Sequence, residues 1–182
     1  MQIAPGNDPA GKRETLEILI RVIAQGDTSR LHKRLVETDK LAILAEGGTS
    51  IARDGLRLAL YAVATNSEKL DRIELAIEQE IRSVAKDGIS TDELERARAV
   101  IEAADVFDGD NQLTLALRYA EAIANDRSID DIEARPKRLA AVTTEQVREA
   151  AQTYLRREQS VTGVLLPVEA ATPQPKQAGA LQ

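Results

Sequence analysis

The sequence contains no cysteine, and its only histidine is His32. Without cysteine the chain has no disulfide, no thiol nucleophile and no thiolate zinc site. Hydrolytic zinc sites usually take two or three ligands from histidine, and a Ser-His-Asp triad needs a histidine beside its serine. The composition therefore argues against a complete hydrolytic zinc site or serine triad within these 182 residues.

Aromatic residues and long apolar runs are also scarce. The aromatic set consists of Tyr61, Phe107, Tyr119 and Tyr154, which leaves little from which to build a stacking platform for bases or sugars. No apolar run approaches the roughly 20 residues that span a bilayer. The formal net charge of −6 argues against non-specific binding to nucleic acid or to anionic membranes.

The first third of the chain predicts two helices followed by a β-hairpin. The first helix has apolar residues at helical spacing, and the second begins after the capping residues Asp27-Thr28-Ser29. Residues 41–51 predict a strand, in which the pair Gly47-Gly48 indicates a bulge or bend. Residues 56–63 alternate between large apolar side chains and a second, more mixed set, which predicts a partner strand with one buried face.

Helices dominate the remaining sequence. Ser90-Thr91-Asp92-Glu93 and Thr143-x-x-Gln146 are capping boxes that begin two of them. Asp108-Gly109-Asp110-Asn111 predicts a break between helices, and Pro136 predicts a kink or split in another. Residues 160–166 predict a short strand that joins the hairpin.

These elements predict an α+β fold, an antiparallel sheet with helices packed on one face. The expected organisation is a flexible start at residues 1–8, a single domain over 9–167 and a disordered tail at 168–182. Because three strands make a thin sheet for so many helices, we expect that further strands precede this segment.

The candidate metal motifs fail when their spacing is checked. His32 has no second histidine to share a metal with, so an exposed helix histidine is the favoured interpretation. An EF-hand loop counted from Asp108 would place Leu113 where glycine is needed and Tyr119 where glutamate is needed. The segment 108–111 is therefore better explained as a helix-capping loop.

The candidate phosphate and acid–base motifs fail as well. Gly47-Gly48-Thr49-Ser50 lacks the lysine of a phosphate-binding loop. The acidic side chains of the helices predict solvated faces with partners one turn away rather than catalytic carboxylates; they are Glu74, Glu78, Glu80, Glu93 and Glu95. No catalytic, metal-ligating or substrate-binding residue is assigned from the sequence.

Four phrases of the sequence resemble one family, the pitrilysin/insulinase-type zinc metallopeptidases, and specifically the C-terminal half of the bacterial members. In order they are Asp27-Thr28-Ser29-Arg30-Leu31 with the following Leu35-Val36-Glu37 and Leu41-Ala42, then Asp87-Gly88-Ile89-Ser90-Thr91-Asp92-Glu93-Leu94-Glu95-Arg96-Ala97, then Leu139-Ala140-Ala141-Val142-Thr143-Thr144-Glu145-Gln146-Val147, and last Ser160-Val161-Thr162-Gly163-Val164-Leu165-Leu166-Pro167. Their order and spacing match over about residues 8–167.

The resemblance implies two sheet-and-helix halves that close around a chamber. In the family the first half carries His-x-x-Glu-His, whose glutamate activates the zinc-bound water. This chain lacks that motif, so it resembles the half that does not bind zinc, and the Zn is expected in the catalytic half of the parent protein. Family members often place an arginine and a tyrosine in the second half to hold substrate. The matching positions here are Val36 and Ile43, so no functional residue is carried over.

The favoured hypothesis is a non-catalytic C-terminal domain of a zinc metalloendopeptidase that acts on peptides. The domain would form a chamber wall and contact the catalytic half, so that the parent is an enzyme while this chain alone is not. One alternative is a zinc-less partner subunit of a two-chain peptidase. Another is a helical protein-binding scaffold, which a structure without an antiparallel sheet would favour. The resemblance implies a periplasmic or cell-envelope parent, and an open sheet edge would favour self-association.

Overall fold

In the computed structural model the described residues are 2–4, 12–52, 55–124 and 127–166. The strands and helices follow one another as β1 (Gln2–Ala4), α1 (Lys12–Ala24), α2 (Arg30–His32), β2 (Ala42–Ala52), β3 (Gly55–Ala64), α3 (Leu70–Asp87), α4 (Thr91–Asp110), α5 (Gln112–Ala124), α6 (Ile129–Glu133), α7 (Arg135–Ala140) and α8 (Thr144–Tyr154). Helix α2 continues into a π-helical turn at Lys33–Thr38, and short 3₁₀ turns lie at Ser67–Lys69 and Arg157–Gln159. None of the helices in this part of the chain combines the length and the apolar character that a bilayer crossing requires.

The sheet is antiparallel with the strand order β1-β3-β2. Across β2 and β3 the register is regular at both glycines, since Gly47 pairs with Leu60 and Gly48 pairs with Ala59. The expected bulge at Gly47-Gly48 is therefore wrong, and the irregularity lies between Ala42 and Leu44. Gly47 instead lies where the sheet comes close to α1: a Cβ added there would be 2.7 Å from the Cβ of Ala24.

Helix α1 is the centre of the core. It contacts β2 as well as α2, α4, α7 and α8, so it lies between the sheet and the other helices and is buried along most of its length. Its side chains that are at most 1% exposed are Glu14, Leu16, Ile18, Leu19, Ile20, Ile23 and Ala24. The predicted α+β architecture, with helices on one face of an antiparallel sheet, is confirmed.

The helix boundaries follow the capping chemistry read from the sequence. Both capping boxes are present, at Ser90 with Glu93 and at Thr143 with Gln146. Pro136 lies in the first turn of α7 and separates it from α6, as predicted. Helix α4 extends through the expected break to Asp110, and the side chain of Asn111 then caps α5 by accepting hydrogen bonds from two backbone N–H groups.

The predicted strand at residues 160–166 is wrong. The segment has no regular structure, and its apolar side chains lie in solvent, with Val161 92% and Leu165 96% exposed. Its composition suits a strand, but a strand also needs a neighbour to share its backbone hydrogen bonds, and no described strand pairs with it. The structure places β1 within the expected flexible start. The rest of residues 1–8 and the expected disordered tail at 168–182 lie outside the described residues.

Candidate functional site

The candidate site is the face of the β2–β3 hairpin that α1 does not cover. On this open sheet face the cross-strand pairs are Leu44 with Val63, Glu46 with Tyr61, Gly48 with Ala59 and Ser50 with Arg57. The opposite face of the same strands carries Ala45 and Leu58, which are 1% and 4% exposed. The alternation predicted for residues 56–63 is therefore confirmed over residues 57–63, where it separates a core face from an exposed face.

The bulge in β2 enlarges the apolar part of the open face. Because the register shifts between Ala42 and Leu44, the two successive side chains Ile43 and Leu44 are both exposed, at 66% and 37%. Across the hairpin Tyr61 is 54% and Val63 44% exposed. Four large apolar side chains thus lie together on a surface that no described residue covers, an arrangement typical of a protein interaction site.

The chemistry of the open face is that of binding rather than catalysis. Its polar groups are the Tyr61 and Ser50 hydroxyls, the Glu46 carboxylate and the Arg57 guanidinium, and it contains no histidine. Over the described ranges, no group of three or more histidine, cysteine, aspartate and glutamate side chains could hold a metal ion. The face can therefore pack against another apolar surface and exchange a few hydrogen bonds with it.

Of the two positions that match the family's substrate-holding pair, only one lies on this face. Ile43 is exposed in β2, whereas Val36 lies in the π-helical turn and packs against the core. His32 also differs from its expected place, because its side chain is only 17% exposed. Helix α2 contacts α1, β2 and α3, which leaves little of its surface in solvent.

The acidic helix side chains form ion pairs, some with a partner one turn away in the same helix, as the sequence interpretation expects, and some with residues of other elements. Glu80 accepts a hydrogen bond from Arg34 at 2.9 Å. Glu78 pairs with Arg82 and also with Arg157.

Glu93 binds Arg30 through two hydrogen bonds, of 2.7 and 2.8 Å. These bonds, together with those from Ser90, lower the pKa of Glu93 from 4.5 to about 2. The pair joins the start of α4 to α2, so its role is structural.

Sequence reasoning missed the position of the bulge and therefore the exposure of Leu44. The available signal was the unbroken apolar run of residues 41–45, which a strand with strict inside–outside alternation would not contain. The prediction instead placed the bulge at Gly47-Gly48, because glycine is common at bulges.

Comparison with known proteins links this architecture to a family. The family model described as the Peptidase M16 inactive domain matches residues 2–101, more than half of the 182-residue chain. None of the curated proteins matches the chain.

Solved structures share the fold over most of the chain. The inactive peptidase domain of a proposed zinc protease from Bordetella parapertussis is 23% identical, with a TM-score of 0.83 over 96% of this chain and 91% of that one. A proposed zinc protease from Bordetella pertussis is 22% identical, with a TM-score of 0.78 over 92% and 90% of the two chains.

A protease from Helicobacter pylori is 16% identical, with a TM-score of 0.80 over 87% of this chain. This chain spans only 38% of that longer protein. The family match covers α1, α3 and the hairpin that carries the open sheet face. The chain therefore belongs to the Peptidase M16 inactive domains, the non-catalytic halves of pitrilysin/insulinase-type zinc peptidases that the four sequence phrases indicate.

Proposed function

We propose that this chain is the non-catalytic half of a zinc metalloendopeptidase and that its open sheet face forms a wall of the peptide chamber beside the catalytic half. The observation that carries the proposal is the group Ile43, Leu44, Tyr61 and Val63, which is exposed next to a fully formed core. Such a face costs free energy in water and is stabilised when a peptide or a protein surface covers it. The presence of an antiparallel sheet does not favour the alternative of a purely helical scaffold.

The test uses this chain together with the zinc-bearing half of its parent protein. In the variant Tyr61→Lys the new ammonium group lies across the hairpin from Glu46, so a cross-strand ion pair supports folding of the variant. The matched control is Phe107→Lys, which introduces the same side chain at a 78% exposed position of α4. Urea unfolding of both variants checks that the fold is retained.

We expect Tyr61→Lys to weaken association with the catalytic half, or the cleavage of a fluorogenic peptide by the mixture, by at least about tenfold. Burying the new ammonium and its Glu46 partner at the centre of an apolar contact removes both charges from water, which accounts for a loss of about 1.4 kcal/mol or more. Phe107→Lys should change both readouts by less than about twofold. Equal effects of the two substitutions would contradict the assignment of the open face.

Self-association of the isolated chain gives a second readout of the same surface. Because the open face has no cover among the described residues, we expect the chain alone to form dimers or larger species as its concentration rises. Light scattering should show a smaller increase in mean mass for Tyr61→Lys than for Phe107→Lys. A chain that stays strictly monomeric at high concentration would contradict the prediction that the open sheet face drives self-association.

A further inference from the structure

Helix α5 has an apolar stripe that faces solvent. Leucine, alanine and isoleucine recur along the helix at intervals of three or four residues, and all of them are exposed; they are Leu113, Ala116, Leu117, Ala120 and Ile123. The three large side chains of this stripe are each more than half exposed. Ala122 is the one buried residue of α5. Because a stripe with this spacing normally packs against a core, its exposure indicates a surface that another molecule covers.

The C-terminal part of α4 adds to this surface. Its exposed large apolar side chains are Val100, Val106 and Phe107. A single residue, Asn111, separates α4 from α5, and the two helices contact each other. Residues 100–124 therefore form a helical hairpin, and its two helices together carry six exposed large apolar side chains.

The apolar side chains of the helical hairpin point away from the body of the domain. Arg118 of α5 lies 2.9 Å from Asp105 and 3.4 Å from Asp108, so this side of α5 faces α4. Helix α4 packs against α1, and its buried residues lie in its first two turns. With 3.6 residues per turn, Val106 and Phe107 of α4 and the stripe of α5 lie on the sides opposite to these inner positions.

The helical hairpin is also strongly acidic. Residues 100–124 contain five carboxylates and one guanidinium, a net charge of −4, while the whole chain carries −6. Glu102 and Asp110 are exposed and lie one turn before and one turn after Val106, so they flank the apolar side chains. This charge repels a second copy of the hairpin and an anionic membrane, and it attracts a cationic partner.

We propose that the helical hairpin binds an amphipathic helix of a partner protein, one that carries lysine or arginine beside its apolar stripe. Such recognition joins two apolar surfaces and gains selectivity from complementary charges at their rim. The apolar stripe of the partner covers Phe107 and the leucines of α5, and its basic side chains meet Glu102 and Asp110. The hairpin and the open sheet face belong to different elements, so this proposal does not depend on the role proposed for the open face.

The test measures the binding of synthetic peptides to the full chain by fluorescence anisotropy. The probe is a labelled peptide of about 18 residues made of leucine and lysine, with leucine at helical spacing. One control peptide has glutamate in place of every lysine, and a second contains the same leucines and lysines in an order without helical spacing. We expect saturable binding of the probe, at least about tenfold tighter than the binding of either control peptide.

Two variants separate the helical hairpin from the open sheet face. Phe107→Lys removes an apolar contact and places a positive charge against a cationic partner, so it should weaken binding of the probe by at least about tenfold. Tyr61→Lys, which introduces the same side chain on the open face, should change it by less than about twofold. This order is the reverse of the one expected for association with the catalytic half. The double variant Glu102→Gln/Asp110→Asn, which keeps the apolar surface, should weaken binding by about threefold.

Backbone ¹H–¹⁵N signals show where the probe binds. Signals of residues 100–124 should shift as the probe is added, while those of residues 57–63 in the hairpin of β2 and β3 should stay unchanged. Shifts confined to residues 57–63, binding that does not saturate, equal affinity for the reordered peptide, or equal effects of Phe107→Lys and Tyr61→Lys would each overturn the proposal. Because the catalytic half takes no part in this experiment, failure of the role proposed for the open face would leave its result unchanged.

Discussion

The close approach of α1 to the sheet at Gly47 allows a sharp test of how this domain is packed. A Cβ at this position would lie 2.7 Å from the Cβ of Ala24, 2.8 Å from Cδ2 of Leu60 and 3.0 Å from Cδ1 of Ile20. Carbon atoms in contact normally lie about 3.5–4.0 Å apart. The leucine and isoleucine methyl groups can rotate away, but the Cβ of Ala24 can move only if α1 shifts on the sheet.

The substitution Gly47→Ala should therefore destabilise the fold by about 2 kcal/mol. Forcing an extra methyl group into a packed core costs roughly 1–3 kcal/mol. The reduced freedom of alanine in the unfolded chain offsets about 0.4–1 kcal/mol of that cost. With a urea dependence of about 2 kcal/mol/M for a domain of this size, the unfolding midpoint should fall by about 1 M.

The neighbouring glycine provides the control. A Cβ at Gly48 would meet nothing within 4 Å because it points to the open face. Gly48→Ala should therefore leave the free energy of unfolding unchanged or raise it by up to about 1 kcal/mol. Urea unfolding followed by circular dichroism measures both variants.

A double variant separates the contact from other effects of the substitution. Replacing Ala24 by glycine removes the atom that the new Cβ would strike, so Gly47→Ala should cost less in the Ala24→Gly background than in the wild type. We expect a coupling free energy of about 1 kcal/mol. Equal midpoints for Gly47→Ala and Gly48→Ala, or zero coupling with Ala24→Gly, would refute the close approach of α1.

Further predictions concern the ion pairs. Arg30 holds the pKa of Glu93 at about 2, below its unfolded value, so the pair stabilises the fold fully above about pH 4.5 and loses this effect as the pH falls towards 2. Glu93→Gln should therefore cost about 2 kcal/mol at pH 7 and progressively less below pH 4.5 in urea unfolding. Glu145→Gln, at a solvent-exposed pair on the surface of α8, should lower the unfolding midpoint far less than Glu93→Gln at pH 7. Glu14 is 1% exposed and accepts two hydrogen bonds from Arg138, so Glu14→Gln should destabilise the chain by about 2 kcal/mol; an unchanged thermal midpoint would contradict this assignment.

Much of the local structure follows from the sequence alone. The capping boxes at Ser90 and Thr143, the separation of two helices at Pro136 and the alternation of residues 57–63 are confirmed. Each depends on side chains within one helical turn or on one strand, so neighbouring residues determine the outcome. The four phrases also indicate the family, because they largely consist of caps and short apolar stretches in a set order.

The composition also limits the chemistry that this chain can perform. One histidine and no cysteine leave too few ligands for the zinc sites that most peptidases use, whatever the fold. The interpretation as a non-catalytic half therefore begins with a count of residue types and needs no coordinates.

The tertiary structure alone decides where the strands pair, why glycine is required and which charges meet. Residues 160–166 have the composition of a strand, yet pairing also needs a neighbouring strand with free backbone groups. Glycine is required at position 47 because α1, from a separate part of the sequence, packs closely against the sheet there. Arg138 of α7 and Glu14 of α1 likewise form an ion pair although 124 positions separate them in the sequence. Such contacts depend on how whole helices lie against one another, and no window of neighbouring residues encodes them by itself.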